Sequence, residues 1–149
     1  MTAAMVHATA IALGGQALLL VGPPGSGKSD LALRLIDRGA ILIADDQVCL
    51  TREGDELLAS APESLAGLVE MRGIGIVPRP FARNIPVAMI LDLGAPVERL
   101  PPPPGEWPRR TKLGVALPVL PLAPFEASAP LKVEAALALL LQEGGRGRS

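Results

Sequence analysis

The residues with the clearest chemical potential form a glycine-rich octapeptide near the N-terminus. Its residues are Gly22, Pro23, Pro24, Gly25, Ser26, Gly27, Lys28 and Ser29. They match the pattern G-x-x-x-x-G-K-[ST], in which glycines let backbone N–H groups surround phosphate oxygens where a Cβ would collide. The lysine can reach the β- and γ-phosphates, and the serine hydroxyl can bind Mg²⁺. The octapeptide therefore predicts a P-loop for ATP, or a similar phosphate ligand, with Mg²⁺.

Acidic residues that end apolar runs are the next candidates. Asp45 and Asp46 directly follow the run at residues 41–44. Strand ends of an α/β sheet converge on the ligand edge, where such carboxylates suit Mg²⁺ binding or proton abstraction from a hydroxyl. A solvated turn is the alternative interpretation. Asp92 ends the run at residues 87–91 and competes with Asp45 and Asp46 for the role of the acidic residue at the site, as a Walker B aspartate. An aspartate in an ordinary turn is the alternative interpretation.

Three further sites carry reactive side chains without a decisive pattern. Glu70 and Arg72 stand beside glycines, where they could meet Mg²⁺ and phosphate or simply form a surface salt pair. His7 is the only histidine and lies in an apolar run, which also suits a packed core residue. Arg99 lies in a proline-rich loop, where a solvated charge is the ordinary interpretation.

Local patterns predict the elements that position these residues. We expect strands at residues 6–13, 16–21, 41–44 and 87–93, with a Gly14-Gly15 hairpin turn between the first two. Helical spacing covers residues 28–38 and 131–141, and Gly39 suits the end of the first helix.

The remaining segments have weaker patterns. Residues 65–71 are ambiguous between strand and helix, and residues 96–110 hold a four-proline run that opposes regular structure. Residues 113–122 suggest an edge segment broken by Pro118 and Pro121. We expect a frayed tail at residues 144–149.

Length and composition limit the class of protein. The 149 residues suit one domain spanning residues 1–149, and 49% hydrophobic content is enough for a core. A net charge of −1 favours neither a nucleic acid nor a membrane surface as partner. The single cysteine, Cys49, excludes an internal disulfide and suits the cytoplasm. A membrane span needs about 20 consecutive apolar residues, and the sequence contains no such run, so we predict no membrane span.

In order and in type, these features resemble the HPr kinase/phosphorylase family, specifically its C-terminal catalytic domain. The resemblance runs through His7, the strand at 16–21, the octapeptide, residues 44–46 and the segment 69–76, Val-Glu-Met-Arg-Gly-Ile-Gly-Ile. It covers roughly residues 5–80. It implies a short form without the family's N-terminal domain, similar to those of alphaproteobacteria. The implied fold is an α/β P-loop domain related to phosphoenolpyruvate carboxykinase, with a mixed β-sheet and flanking helices.

The resemblance implies an ATP-dependent kinase that phosphorylates a serine of HPr, the phosphocarrier protein of the phosphotransferase system. It also implies a possible reverse reaction, in which inorganic phosphate removes the phosphoryl group and pyrophosphate is released. Family members assemble as hexamers. The family has a basic residue in a segment tied to dephosphorylation, and the corresponding residues 121–126 here contain none.

Residue roles also follow from the resemblance. Lys28 matches the phosphate-binding lysine, Ser29 and Glu70 match Mg²⁺ ligands, and Asp45 is a helper or metal neighbour. Asp46 corresponds to the general base.

Two more positions complete these roles, one near the start of the match and one beyond it, in a short local similarity. His7 corresponds to an active-site histidine, which could orient Asp46 or protonate phosphate. Arg99, in Val97-Glu98-Arg99-Leu100, resembles the catalytic arginine.

Two other functions fit the octapeptide. One is a small-molecule kinase, with Asp92 as the Walker B acid and Arg109-Arg110 in a lid. The other is a nucleotide-sensing module that binds a partner without turnover.

Overall fold

The apolar runs form strands of a mixed sheet, and the amphipathic segments form two helices. The computed structural model describes residues 3–146. The strands are β1 Ala3–His7, β2 Thr9–Leu13, β3 Gln16–Val21, β4 Ile41–Ala44, β5 Gln47–Glu53, β6 Glu56–Ser60, β7 Leu68–Met71, β8 Gly75–Pro78, β9 Ile85–Asp92, β10 Arg109–Lys112 and β11 Val115–Pro121. The helices are α1 Lys28–Asp37 and α2 Ala129–Arg146, with short 3₁₀ turns at Glu63–Leu65 and Pro104–Glu106.

The central strands share a direction that brings their carboxyl ends to one edge. β3 pairs in parallel with β9, which pairs in parallel with β11. On the other side of β3, the antiparallel β2 separates it from β4, so β4 also runs in the direction of β3. Residues that follow β3, β4, β9 and β11 therefore meet at the same edge of the sheet.

Both faces of the central strands are buried, which explains their unbroken apolar sequences. Leu18 and Leu20 of β3 pack with Leu31 and Leu35 of α1 in one core cluster. Leu19, between the first two, belongs to a second cluster on the opposite face. That second cluster also contains buried residues of β5 and β6, the strands that continue the sheet beyond β9 to β1. Side chains alternate across a strand, so a strand buried on both faces has no polar positions.

Several local predictions are confirmed by turn geometry. Gly14 and Gly15 have φ values of 54° and 80° and join β2 to β3 as a tight hairpin. Gly39 has a φ of 113° and ends α1, with its N–H bonded to the carbonyl of Ile36 at 3.0 Å. The next residue, Ala40, bonds to Leu35 at 3.0 Å, which completes a Schellman motif.

The single strand predicted at residues 6–13 is wrong, because it is two strands. β1 pairs with β5, whereas β2 pairs with β3 and β4. Ala8 lies between them and donates its N–H to the carbonyl of Asp46 at 3.3 Å. The run changes partners at Ala8, and periodicity cannot detect such a change.

The predictions for the second half also need correction. Residues 115–121 form a continuous strand through Pro118, at the point where pairing passes from β10 to β9. A proline lacks an N–H, so it is tolerated where a ladder changes partner. Residues 109 and 110, predicted as irregular, begin β10.

The structure also assigns the segment 65–71, whose pattern was ambiguous, and part of the predicted frayed tail at 144–149. Residues 68–71 form β7, which makes a hairpin with β8. α2 reaches Arg146, three residues into the predicted frayed tail, and residues 147–149 lie outside the described part of the chain. Neither helix within residues 3–146 is long and apolar enough to cross a membrane.

Candidate active site

The glycine-rich loop (residues 22–29) connects β3 to α1 at the carboxyl edge of the sheet. Gly27 has a φ of 94° and caps α1, and its carbonyl accepts the first helical hydrogen bond from Leu31 at 2.9 Å. A Cβ at Gly22 would lie 2.5 Å from the Oγ of Ser26, closer than any real contact. The tight path of the loop therefore needs glycine at both positions, and it directs the positive end of α1 toward the loop.

Polar groups of the loop face inward. The Lys28 Nζ donates hydrogen bonds to the carbonyls of Gly22 at 2.7 Å and Pro23 at 3.2 Å, so its ammonium lies over the start of the loop. The Ser26 Oγ is buried, and it has no hydrogen-bond partner among the described residues. A buried hydroxyl without a partner is costly, and it is a ready donor for an anion held in the loop.

Asp45 is buried, and three donors converge on its carboxylate. Its Oδ1 accepts hydrogen bonds from the hydroxyls of Ser29 at 2.6 Å and Thr9 at 3.0 Å. Its Oδ2 accepts the backbone N–H of Glu70 at 3.1 Å. This carboxylate thus joins the helix that follows the loop, the strand β2 and the β7–β8 hairpin.

Asp46 faces the opposite way, toward solvent. Its φ is 74°, in the left-handed region that aspartate tolerates better than most residues. Its Oδ1 lies 3.5 Å from the Nδ1 of His7, and the two side chains are 66% and 78% exposed. The adjacent carboxylates therefore occupy different environments: one is fixed by hydrogen bonds beside the loop, and the other is exposed beside a histidine.

Glu70 is brought to this site through its backbone and not through its carboxylate. Its N–H bonds to Asp45, while its side chain is exposed on the β7–β8 hairpin. No group of three or more potential metal-binding side chains of His, Cys, Asp or Glu type occurs within residues 3–146. Arg72 is also exposed, in the turn of the same hairpin.

Asp92, the rival acid, is engaged by a cation. Its Oδ2 accepts a hydrogen bond from the Arg110 guanidinium of β10, and its Oδ1 accepts the Gly94 N–H at 2.9 Å. Partial burial raises the pKa of Asp92, but the hydrogen bond from Arg110, the N–H groups of Gly94 and Ala95 and the Arg110 charge lower it by more, so the net pKa is below its usual value. Arg110 lies in the strand β10 and is paired with Asp92, so it does not belong to the lid that a small-molecule kinase would need.

Arg99 lies in the segment between β9 and β10. It lines a depression on the sheet edge together with Ala123, Glu126 and Lys132. Its link to the site is indirect, through the segment 123–126.

Sequence reasoning missed two contributors. Thr9 is buried and shares the Asp45 carboxylate, and a lone hydroxyl in an otherwise apolar run was the available signal. Phe125 lies against the loop, since a Cβ at Gly27 would come within 3.0 Å of its ring. Gly27 and Phe125 are 98 positions apart, so no local pattern connects them.

Comparison with known proteins identifies a matching family and several curated relatives. A profile of the family described as the HPr Serine kinase C-terminal domain matches residues 1–80, slightly more than half of the 149 residues. HPr kinase/phosphorylase from Mycoplasmopsis pulmonis is 39% identical over 72 residues, which are 48% of this chain and 23% of that protein. The protein of the same name from Bacillus pumilus is 44% identical over 73 residues, covering 48% and 24%. The chain thus spans about a quarter of the length of these curated relatives.

A solved structure extends the similarity to the second half. The chain matches the Hpr(Ser) kinase/phosphatase from Coxiella burnetii with a TM-score of 0.75 and 28% identity. The match covers 91% of this chain and 94% of the other. The mixed α/β fold is therefore similar in the two proteins well beyond residue 80.

Proposed function

Because the chain belongs to the HPr serine kinase C-terminal domain family, we propose that it transfers the γ-phosphoryl group of ATP to a serine of an HPr-type phosphocarrier protein. The observation that carries this proposal is the Ser29–Asp45 hydrogen bond at 2.6 Å, with Asp46 and His7 exposed beside it. A phosphate loop, an acid coupled to it and an accessible base are the parts that phosphoryl transfer needs.

In this proposal the glycine-rich loop is a P-loop. Its N–H groups and the Ser26 hydroxyl donate to phosphate oxygens, and Lys28 exchanges its bonds to the Gly22 and Pro23 carbonyls for bonds to the phosphates. The positive end of α1 adds to the attraction. The loop thereby holds the triphosphate in a fixed position, and positioning is a large part of the catalysis of this reaction.

The donor set beside the loop fits Mg²⁺. The Ser29 hydroxyl and the Asp45 carboxylate are hard oxygen ligands in direct contact, and they match the preference of Mg²⁺ for one or two protein oxygens plus phosphates and water. We assign Ser29 and Asp45 as the holding residues, with Glu70 as an outer ligand from the neighbouring hairpin. Bound Mg²⁺ would supply charge neutralisation on the phosphates.

Asp46 is proposed as the general base. Its exposed carboxylate can accept the proton of a serine on another protein, which the buried Asp45 cannot reach. His7, at 3.5 Å, can orient that carboxylate and share the proton. Arg99 is proposed to neutralise negative charge on the γ-phosphoryl group as it moves. It would approach from the side of the loop where the segment 123–126 lies.

The same groups can serve the dephosphorylating reaction, in which inorganic phosphate takes the phosphoryl group from phosphoserine and ATP is not re-formed. Inorganic phosphate would replace the nucleotide's leaving group in the loop, attack the phosphoserine and release pyrophosphate, while Asp46 returns the proton to the serine oxygen. Both reactions involve the same bond between phosphorus and the serine oxygen, so the group that takes the proton when that bond forms is placed to give it back when the bond breaks. We further propose that the protein is cytoplasmic and forms a homo-oligomer, which the family resemblance implies is a hexamer. Light scattering, which gives the mass of the assembly in solution, tests the hexamer.

Intact-mass measurement tests the kinase directly. The purified chain, ATP and Mg²⁺ are mixed with the phosphocarrier protein, and we expect one added phosphate on the carrier. Lys28→Ala should abolish the addition, because it removes the cation from the phosphates. Adding inorganic phosphate afterwards should return the carrier to its original mass if the reverse reaction operates.

Asp46→Asn separates chemistry from binding. Asparagine keeps the left-handed backbone conformation, so the variant should bind ATP as the wild type does and should lose phosphate transfer. Wild-type turnover by this variant would exclude Asp46 as the base. Intact ATP binding by the wild type without transfer to the carrier would instead indicate a different acceptor or a sensing module.

A further inference from the structure

Phe125 is an exposed aromatic ring placed against the glycine-rich loop. Phe125 is 71% exposed, whereas Phe81 and Trp107 are 37% and 5% exposed. A Cβ at Gly27 would lie 3.0 and 3.1 Å from two carbons of the Phe125 ring. Single exposed apolar residues are common on protein surfaces, and Leu100 and Ile74 are more exposed than Phe125. What distinguishes Phe125 is that its ring lies against Gly27 of the predicted phosphate loop.

The ring is held in place by its backbone. Arg34 of α1 donates hydrogen bonds to the carbonyls on either side of Phe125, those of Pro124 and, at 3.2 Å, Glu126. The Glu126 carboxylate is also paired with Lys132 of α2 at 2.6 Å. These contacts fix the segment 124–126 to both helices without covering the ring.

The sheet order places this segment on one flank of the loop. Asp45 and Ser29 mark the metal side, toward β2 and β4. The segment 122–126 follows β11, which lies on the other side of β3 beyond β9. A triphosphate whose metal-bound end faces Asp45 therefore directs its nucleoside end toward β9, β11 and Phe125.

We propose that Phe125 is the platform on which the base of the bound nucleoside triphosphate stacks. This inference rests on the proposed function of the loop and adds the subsite for the nucleoside. Stacking uses the π-face that every base presents, so the platform should accept ATP and GTP with similar affinity. Arg34 is a positioning residue in this scheme, because it holds the ring and does not touch the base.

Titration calorimetry with ATP and with inorganic tripolyphosphate, both with Mg²⁺, tests the platform. Phe125→Ala should weaken ATP binding by roughly tenfold or more and leave tripolyphosphate binding within about twofold of the wild type. Phe125→Trp should restore ATP binding. Leu131→Ala is the matched control, since Leu131 is 53% exposed on α2, and it should change neither affinity.

Arg34→Gln provides a second variant. It should weaken ATP binding and spare tripolyphosphate, and adding it to Phe125→Ala should weaken ATP binding little further, because both changes remove the same ring from its position.

The outcomes separate the two proposals. Unchanged ATP binding in Phe125→Ala overturns the platform, and so does an equal loss of ATP and tripolyphosphate, which would mean that the segment merely supports the loop. If the wild type binds neither ligand, the proposed phosphate site itself fails, and the platform fails with it. Circular dichroism confirms that each variant is folded.

Discussion

Replacing Asp45 with asparagine perturbs the contact on which the candidate site depends. The carboxylate accepts three hydrogen bonds, from Ser29 at 2.6 Å, Thr9 at 3.0 Å and the Glu70 N–H at 3.1 Å. Asparagine has one acceptor oxygen. If that oxygen serves the two hydroxyls, the amide NH₂ faces the N–H of Glu70, and two buried donors oppose each other.

The magnitude follows from these contacts. Hydrogen bonds to a charged acceptor contribute about 1.5–3 kcal/mol each, and a buried donor without a partner costs about 1–3 kcal/mol. Losing the Glu70 bond and weakening the other two should lower the free energy of unfolding by about 3 kcal/mol. For a chain of this size that corresponds to a Tm lower by about 6–12 °C.

Thermal unfolding followed by circular dichroism measures the effect, with Asp46→Asn as the matched control. Asp46 is 66% exposed and Asn tolerates its left-handed φ, so the control should melt within about 2 °C of the wild type. A Tm for Asp45→Asn at or above that of the wild type would refute the reasoning. It would mean that the cost of burying the carboxylate exceeds the gain from its three donors.

Two other predictions concern residues outside the glycine-rich loop. Asp92 has a pKa below its usual 3.8, so its folded-state ionisation contributes stability above that pH and loses it as the pH falls through the lowered pKa. Urea unfolding should therefore give the wild type a higher free energy of unfolding than Arg110→Gln, by the same amount at about pH 7 and about pH 5. The difference should shrink below about pH 3.8. An undiminished difference at about pH 2 would contradict the pairing of Asp92 with Arg110. Trp107, the only tryptophan, is 5% exposed and donates its indole N–H to the Pro102 carbonyl at 2.9 Å. Trp107→Phe should cost about 1–2 kcal/mol in urea unfolding followed by circular dichroism, and Trp107→Ala about 3–5 kcal/mol; equal losses would show that the ring packs less than its burial indicates.

Local chemistry made much of the first half predictable. The Gly14-Gly15 turn, the glycine-rich loop with the helix behind it, and the Gly39 ending depend on residues within a few positions of one another. The helix at 131–141 was also found, because burial at Val133, Ala136 and Leu137 imposes a helical period on the sequence. The family resemblance extended these predictions to residue roles up to residue 80 and at Arg99.

The failures share one cause, which is partner choice. The run at residues 6–13 looks uniform, and its division at Ala8 exists only because β1 and β2 pair with different strands. Pro118 seemed to break a strand, but it lies where β11 changes partner. Strand pairing is a contact between distant segments, and composition along one segment does not encode it.

The candidate site divides along the same line. The sequence by itself determined that a glycine-rich loop precedes a helix and that two adjacent aspartates follow a buried strand, because such patterns are local. Only the tertiary structure decided which aspartate turns inward to Ser29 and Thr9, and which meets His7 in solvent. It also decided that Asp92 is paired with Arg110 and that Phe125 lies on Gly27. Those pairs are set by the order and direction of strands in the sheet, which bring together residues that are far apart along the chain.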